Sequence, residues 1–306
     1  MQNVIFTQIG VLALAMAIGF AAVKSGYIPE EAKDALSKVI VKITLPLVVL
    51  MSLTKVELNA ALAVNCLLVA VLAASAVAVM YLVGMFSARR LGLEGSRAVI
   101  YRCMGAFGNV VFLGYPLIEA LFGAEGLLYA AIYGVANDAF VWTLGVWGLA
   151  GGGGSAKKLI NPVTISFVVS IILMCTGVHI GGVLGTVLDG MGSTTTWLSM
   201  LFIGGTLASV DIKGIWKHYQ LLIMAVMKMV VFPLVLMLVL KWLPLAEIVK
   251  SVLILQAAMP SQTVLTIIAT EYGADVKYAA EGVFVTTVLS VLTLPLMVMA
   301  MGALGI

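Results

Sequence analysis

GNVVFLGYPLIEALFG, residues 108–123, sets an asparagine, three glycines and a proline inside an otherwise apolar run. The run is placed where a helix would cross a bilayer, and it carries its poorest helix formers at its centre. Pro116 cannot donate a backbone hydrogen bond, Gly114 weakens the turn before it, and residue 115 is pushed away from helical dihedrals. The expected result is two half-helices, with Pro116 in the first turn of the second, where proline is well tolerated.

Composition makes this a membrane question. Of 306 residues, 62% are hydrophobic and 10% charged, against about a quarter charged in soluble domains, and mean hydropathy is +1.16. Ten apolar blocks recur, at 4–23, 35–53, 60–84, 98–122, 126–149, 163–180, 185–208, 218–240, 247–270 and 277–303. Each can span a bilayer as a helix, and none alternates as a barrel strand would. The first block lacks a basic start and a small-residue cleavage site, so no cleaved signal peptide is expected. Cys66, Cys103 and Cys175 all lie in apolar blocks, without disulfide or metal-ligand spacing. No cofactor, metal or nucleic-acid partner is implied.

Charge gives the topology. One set of links between blocks carries Lys24, Lys33, Lys38, Arg89, Arg90, Arg97, Arg102, Lys157, Lys158, Lys213, Lys217 and Lys277; the other carries only Lys55, Lys241 and Lys250. The richer set is expected in the cytoplasm. Both termini then lie outside the cytoplasm of a plasma membrane (a bacterial inner membrane). The two halves echo each other. Gly123-Ala124-Glu125 leads to Tyr129-Ala130-Ala131 and Gly134-Val135, and Gly273-Ala274-Asp275 leads to Tyr278-Ala279-Ala280 and Gly282-Val283. The echo places a five-helix repeat at 1–150, a cytoplasmic linker at 151–162 and a second repeat at 163–306. Five is odd, so the second repeat is inverted, as in many secondary transporters.

Helix 9 of this scheme matches helix 4. Pro260, Ser261, Gln262 and Thr263 fall near its centre. Freed backbone amides at that depth are tolerated only where protein or a water-lined cavity satisfies them. Two half-helix amino ends would then aim positive dipole at one cavity, an arrangement suited to an anion. A kinked packing helix is the alternative at either proline alone. Asn109, Gly114, Tyr115, Pro116, Pro260, Ser261, Gln262 and Thr263 are the candidate substrate-binding residues.

At these residues the chain resembles the auxin efflux carrier family, which includes the plant PIN-FORMED carriers and bacterial organic-anion carriers. Asn109, Gly114 and Pro116 are similar to the family's fourth-helix pattern. Met259-Pro260-Ser261-Gln262, Glu271-Tyr272-Gly273 and the Val-Phe-Val-Thr-Thr run at 283–287 resemble its ninth and tenth helices, and Leu45-Pro46-Leu47 its second. The resemblance implies an all-α polytopic fold of ten transmembrane helices in two inverted repeats, with helices 4 and 9 broken and crossing. It also implies elevator-like alternating access, a homodimer and carboxylate substrates such as malate or malonate. Asn109 falls on the family's crossover asparagine. Plant members carry a second proline where this chain has Leu265, so the helix 9 break falls between Pro260 and about Thr266.

Ionisable residues within spans are functional candidates. Asp138, with Asn137 beside it and Trp142 one turn on, stands where plant relatives resemble an uncharged Gln, which suggests proton coupling; a structural Asp–Lys pair is the alternative. Lys42 either pairs with Asp138 or snorkels to the cytoplasm, and Lys228 has the same two options. Glu119 lines an outer vestibule or is solvated. Glu281 is expected to be solvated, and His179 and His218 inert near the interfaces. A carrier of small organic anions is the leading reading. The alternatives are a sodium-coupled carboxylate symporter, as in the distantly related bile-acid symporters, and an anion channel. An enzyme would need a nucleophile–base or paired-acid centre, and neither is visible.

Overall fold

A computed structural model describes residues 2–57, 59–150, 160–210 and 215–306. The described residues form eleven helices and no strand. They are α1 Gln2–Lys24, α2 Ala32–Leu53, α3 Ala60–Arg90, α4 Gly95–Ala106, α5 Val110–Ala150, α6 Pro162–Thr176, α7 Gly182–Ala208, α8 Tyr219–Lys241, α9 Glu247–Ala257, α10 Val264–Glu271 and α11 Val276–Leu304. Five of them (α2, α3, α5, α8 and α11) are each long and apolar enough to cross a membrane. The glycine-rich strap expected at 151–155 lies outside the described residues.

Three prolines shape the helices that carry them. Pro46, Pro116 and Pro233 each follow a π turn, at Ile40–Thr44, Val110–Gly114 and Met227–Val231. A proline cannot serve the carbonyl four residues back, and a wider turn absorbs the mismatch without ending the helix. The helix 4 break therefore falls at 107–109, earlier than Pro116 suggests, where Phe107 is extended and Asn109 leaves helical dihedrals (φ −76°, ψ 57°). The second break occupies 258–263, between α9 and α10.

α5 divides at Gly123, whose φ of 63° is a left-handed conformation that glycine adopts freely. Its two arms fold back on one another, since Tyr115 of the first meets Gly134 of the second. Gly273, at the corresponding joint between α10 and α11, has φ 61°.

The helices pack as two groups, and each half of the chain contributes to both. In one group, α7 lies against α1 and α2 at backbone distance. A methyl added at Gly204 would sit 1.9 Å from the Met16 carbonyl oxygen, one at Gly19 2.5 Å from that of Leu201, and one at Gly192 2.9 Å from the Val48 nitrogen. Small residues permit such approach where no hydrophobic force draws helices together in lipid. α6 joins through Ser166, whose hydroxyl donates to the Pro46 carbonyl. The other group contains α3, α4, α5 and α8–α11. There Ser87 and Tyr101 share a 2.9 Å hydrogen bond between α3 and α4, and Gly282 of α11 makes room for the Met104 sulfur of α4. Phe112 against Phe202, with ring centroids 5.0 Å apart, bridges the groups.

The Tyr115–Gly134 contact gives a direct check. A methyl at 134 would lie 2.1 Å from the Tyr115 hydroxyl oxygen. Gly134→Ala is expected to cost about 1–3 kcal/mol by overpacking, read as a lowered thermal midpoint of the purified protein. Adding Tyr115→Phe, which removes that oxygen, should recover most of the loss; no recovery would show that the two arms are not packed this way.

Candidate functional site

The two breaks are bonded to each other. Gly108 and Ser261 form an antiparallel bridge, in which the Asn109 amide donates to the Pro260 carbonyl at 2.7 Å and the Gln262 amide to the Phe107 carbonyl at 3.1 Å. Backbone groups that leave helical pairing at the two breaks thus satisfy one another across the crossing.

The remaining amides of the bridge are served in the same way in both halves. Gly108 N–H donates to Asn137 Oδ1 at 3.2 Å, and Ser261 N–H to Thr286 Oγ1 at 3.0 Å. Asn137 and Thr286 stand at corresponding places, each eight residues after the tyrosine of its repeat echo, Tyr129 or Tyr278. Each break is therefore anchored by a side chain of the helical segment that follows it.

The side chains differ in what they do. Ser261 is fully buried, and its hydroxyl donates to the Met104 carbonyl at 2.9 Å, so it caps α4. Gln262 Oε1 accepts from Asn137 Nδ2 at 3.3 Å, and Asn137 Nδ2 also lies 3.4 Å from Asp138 Oδ1. Asn109 is 1% exposed, yet neither atom of its carboxamide has a partner; the Thr263 hydroxyl is likewise buried and unpaired. Leaving such a group unserved costs about 1–3 kcal/mol; the Gln256 carboxamide, also 1% exposed, is unpaired at both atoms in the same way. Gly114 leaves space for the buried Gln256 carboxamide, whose oxygen would lie 2.4 Å from an added methyl. Pro116 is buried in its helix and Pro260 lies within the break.

A cavity of about 170 Å³ opens beside the crossing, between the two helix groups. Tyr115, Asp138, Trp142 and Gln262 line it from one group; Val41 and Val49 of α2, Thr164 and Phe167 of α6, and Asn161 just before α6 line it from the other. Of the candidate residues, Tyr115, Asp138 and Gln262 thus reach the cavity, and Asn137 reaches it through Gln262. Lys42 does not: it is exposed, and among the described residues no ion pair joins it to Asp138. Asn161 was legible as a helix start, an asparagine before a proline, and it caps α6 by accepting from Val163 and Thr164 amides, both at 3.0 Å. Nothing in its local sequence shows that it meets Asp138 across a cavity.

Two expectations change. Glu281 is fully buried, not solvated, and pairs with His218 Nδ1 at 2.5 Å, so His218 is a structural partner. Glu119 is bonded by the Ser52 hydroxyl. Near His218, Arg97 bonds Asp275 at 2.6 Å. Partial burial by itself would raise the Asp275 carboxyl, but the Tyr278 amide and Arg97 outweigh it and hold the group below its usual range.

A family model described as membrane transport protein matches residues 4–158 and 153–298. The chain belongs to that family, the auxin efflux carriers. An uncharacterized transporter of Methanothermobacter thermautotrophicus is 26% identical over 300 residues, covering 95% of this chain and 96% of the relative. One of Methanocaldococcus jannaschii is 25% identical, covering 94% and 95%. The protein is therefore a multi-pass membrane transporter.

The anchoring bonds predict matched effects in the two halves. Asn137→Leu and Thr286→Val each leave one bridge amide buried without a partner, at about 1–3 kcal/mol. Both should lower the thermal midpoint by comparable amounts. A neutral result in either would show that its bond does not hold the break.

Proposed function

We propose that this transporter is a secondary carrier of small organic anions, built as ten spans in two inverted five-helix repeats. The observation that carries the reading is the buried, unpaired carboxamide of Asn109 at the bridge between two broken helices. Two half-helices begin there, α5 at Val110 and α10 at Val264, and each presents unserved amides and positive dipole at its start. A carboxylate would be received by amides and dipole ends together, as anions are at helix amino termini generally. The matched glycines at 123 and 273 and the matched anchors at 137 and 286 support the repeat.

The cavity lies between two helix groups, so a sliding of one group past the other would carry the crossing from one face to the other. That is an elevator form of alternating access, and a homodimer would hold the static group in place. Asp138 on the cavity wall, beside the amides of Asn137 and Gln262, is the group proposed to take up and release a proton with each cycle. A proton moved with a monoanion leaves no net charge to be driven by the membrane potential; any excess charge is worth about 2.3 kcal/mol per 100 mV. Sodium coupling has one observation in its favour: the unpaired buried oxygens of Asn109, Gln256, Thr263 and Thr287 on the segments around the breaks.

Uptake into sealed vesicles decides among these. A carrier saturates and supports counter-exchange of labelled carboxylate, whereas a channel does neither. Asn109→Ala and Gln262→Ala are each expected to weaken carboxylate binding about ten- to a hundred-fold, the loss of one hydrogen bond to a charged partner; wild-type affinity in both, with normal folding, removes the crossing as the site. Asp138→Asn should keep binding and flatten the pH dependence of uptake. Uptake that follows sodium in the wild type, with pH dependence unchanged in the variant, would transfer coupling to sodium.

Orientation has its own test. Cysteines placed at 151–155 should react with impermeant reagents only from the cytoplasmic side, and cysteines beside Lys55 or Lys241 only from outside. The opposite labelling would overturn the inverted topology.

A further inference from the structure

Lys228 lies in the π turn of α8, ten residues beyond His218 and well within the apolar span. It is 2% exposed. Its stem follows an apolar cavity of about 240 Å³ lined by Val79, Val83, Met227, Val231 and Val235. No acidic side chain pairs with it among the described residues. Its ammonium donates to the Gly105 carbonyl at 3.2 Å.

That carbonyl belongs to the last turn of α4, three residues before the bridge residue Gly108. The neighbouring end carbonyls are also covered: Cys103 accepts from the Phe107 amide at 2.8 Å and Met104 from the Ser261 hydroxyl at 2.9 Å. The carboxyl end of α4 carries negative dipole, so a cation is welcome there. The end of α9, which reaches the same crossing, is covered by backbone amides alone among the described residues. The carbonyls of Ile254, Leu255 and Gln256 receive the backbone amides of Ala258 and Met259.

Four half-helix ends meet at the crossing. Two amino ends attract an anion and two carboxyl ends repel it. When protonated, Lys228 cancels one repulsive end and leaves charge over, because a full positive charge exceeds the half charge of a helix terminus. A buried charge without a counter-ion is costly in a membrane, and an anion at the crossing would relieve it.

We propose that Lys228 sets the preference of the site for anions, acting as a positioning residue that shapes the field at the crossing without touching the substrate. The inference rests on the anion-carrier reading above. At an effective dielectric of about 20, a unit charge within about 10 Å of an anion changes its affinity about ten-fold or more. A neutral ligand of the same shape would be unaffected.

The test separates charge from capping. Lys228→Gln keeps a donor for the Gly105 carbonyl and removes the charge; Lys228→Arg keeps both. Purified wild type and variants are titrated with a panel of small mono- and dicarboxylates and with the matching amides, and thermal midpoints are recorded alongside. Lys228→Gln should bind the best carboxylate about ten-fold more weakly, bind its amide as the wild type does, and keep a near-native midpoint. Lys228→Arg should restore carboxylate affinity to within a few-fold. If Lys228→Gln binds carboxylate at wild-type strength, or loses amide binding equally, the lysine is only a helix cap and the inference fails. If the wild type binds none of the carboxylates, the carrier reading itself fails, and the inference with it.

Discussion

Backbone hydrogen bonding at bilayer depth is the constraint on which this molecule depends. A helix crossing lipid cannot leave amides or carbonyls unserved, yet helical pairing is interrupted here between α4 and α5 and again between α9 and α10. The interruptions persist because they serve each other through the Gly108–Ser261 bridge. What the bridge leaves over is taken up by Asn137 and Thr286 from the following segments. The break in one half is thus a condition for the break in the other. The crossing is a single object assembled from two distant parts of the chain.

The bridge also determines where chemistry is placed. Pairing the breaks fixes two helix amino ends, the Asn109 carboxamide and the Gln262 carboxamide around one point. The cavity with Asp138 opens beside it, on the seam between two helix groups. Close glycine contacts hold α1, α2 and α7 together as one group, and the crossing belongs to the other. The seam is lined from one side by Tyr115, Asp138 and Gln262 and from the other by Asn161, Thr164 and Phe167, and the proposed sliding movement would run along it.

Much of this was legible in the sequence, because membrane constraints are coarse. Apolar length shows helices, and prolines with neighbouring glycines show where helices are disturbed. The echo around Gly123 and Gly273 was visible as letters and returns as matched left-handed joints. Finer placement was not legible. Pro116 drew attention to residues 114–116, but a π turn absorbs its missing donor, and the break lies at 107–109, where it can pair with 260–262. That pairing is long-range, and no local propensity encodes it. Glu281 reads as a solvated residue one turn into its helix; only the fold brings His218 to it. Gln256 carries no signal of its own, and Thr286, although it stands in the family-like Val-Phe-Val-Thr-Thr run, does not show which amide it serves.

The account stands on the claim that the paired breaks receive a carboxylate at Asn109. The most direct measurement is the side-chain amide resonance of a selectively 15N-labelled Asn109 in the detergent-solubilised protein, followed during titration with a carboxylate whose binding is established by thermal shift. The account predicts a saturating shift of that resonance at the same midpoint as the thermal response. A bound carboxylate that leaves the Asn109 amide unmoved would contradict it and place the substrate elsewhere.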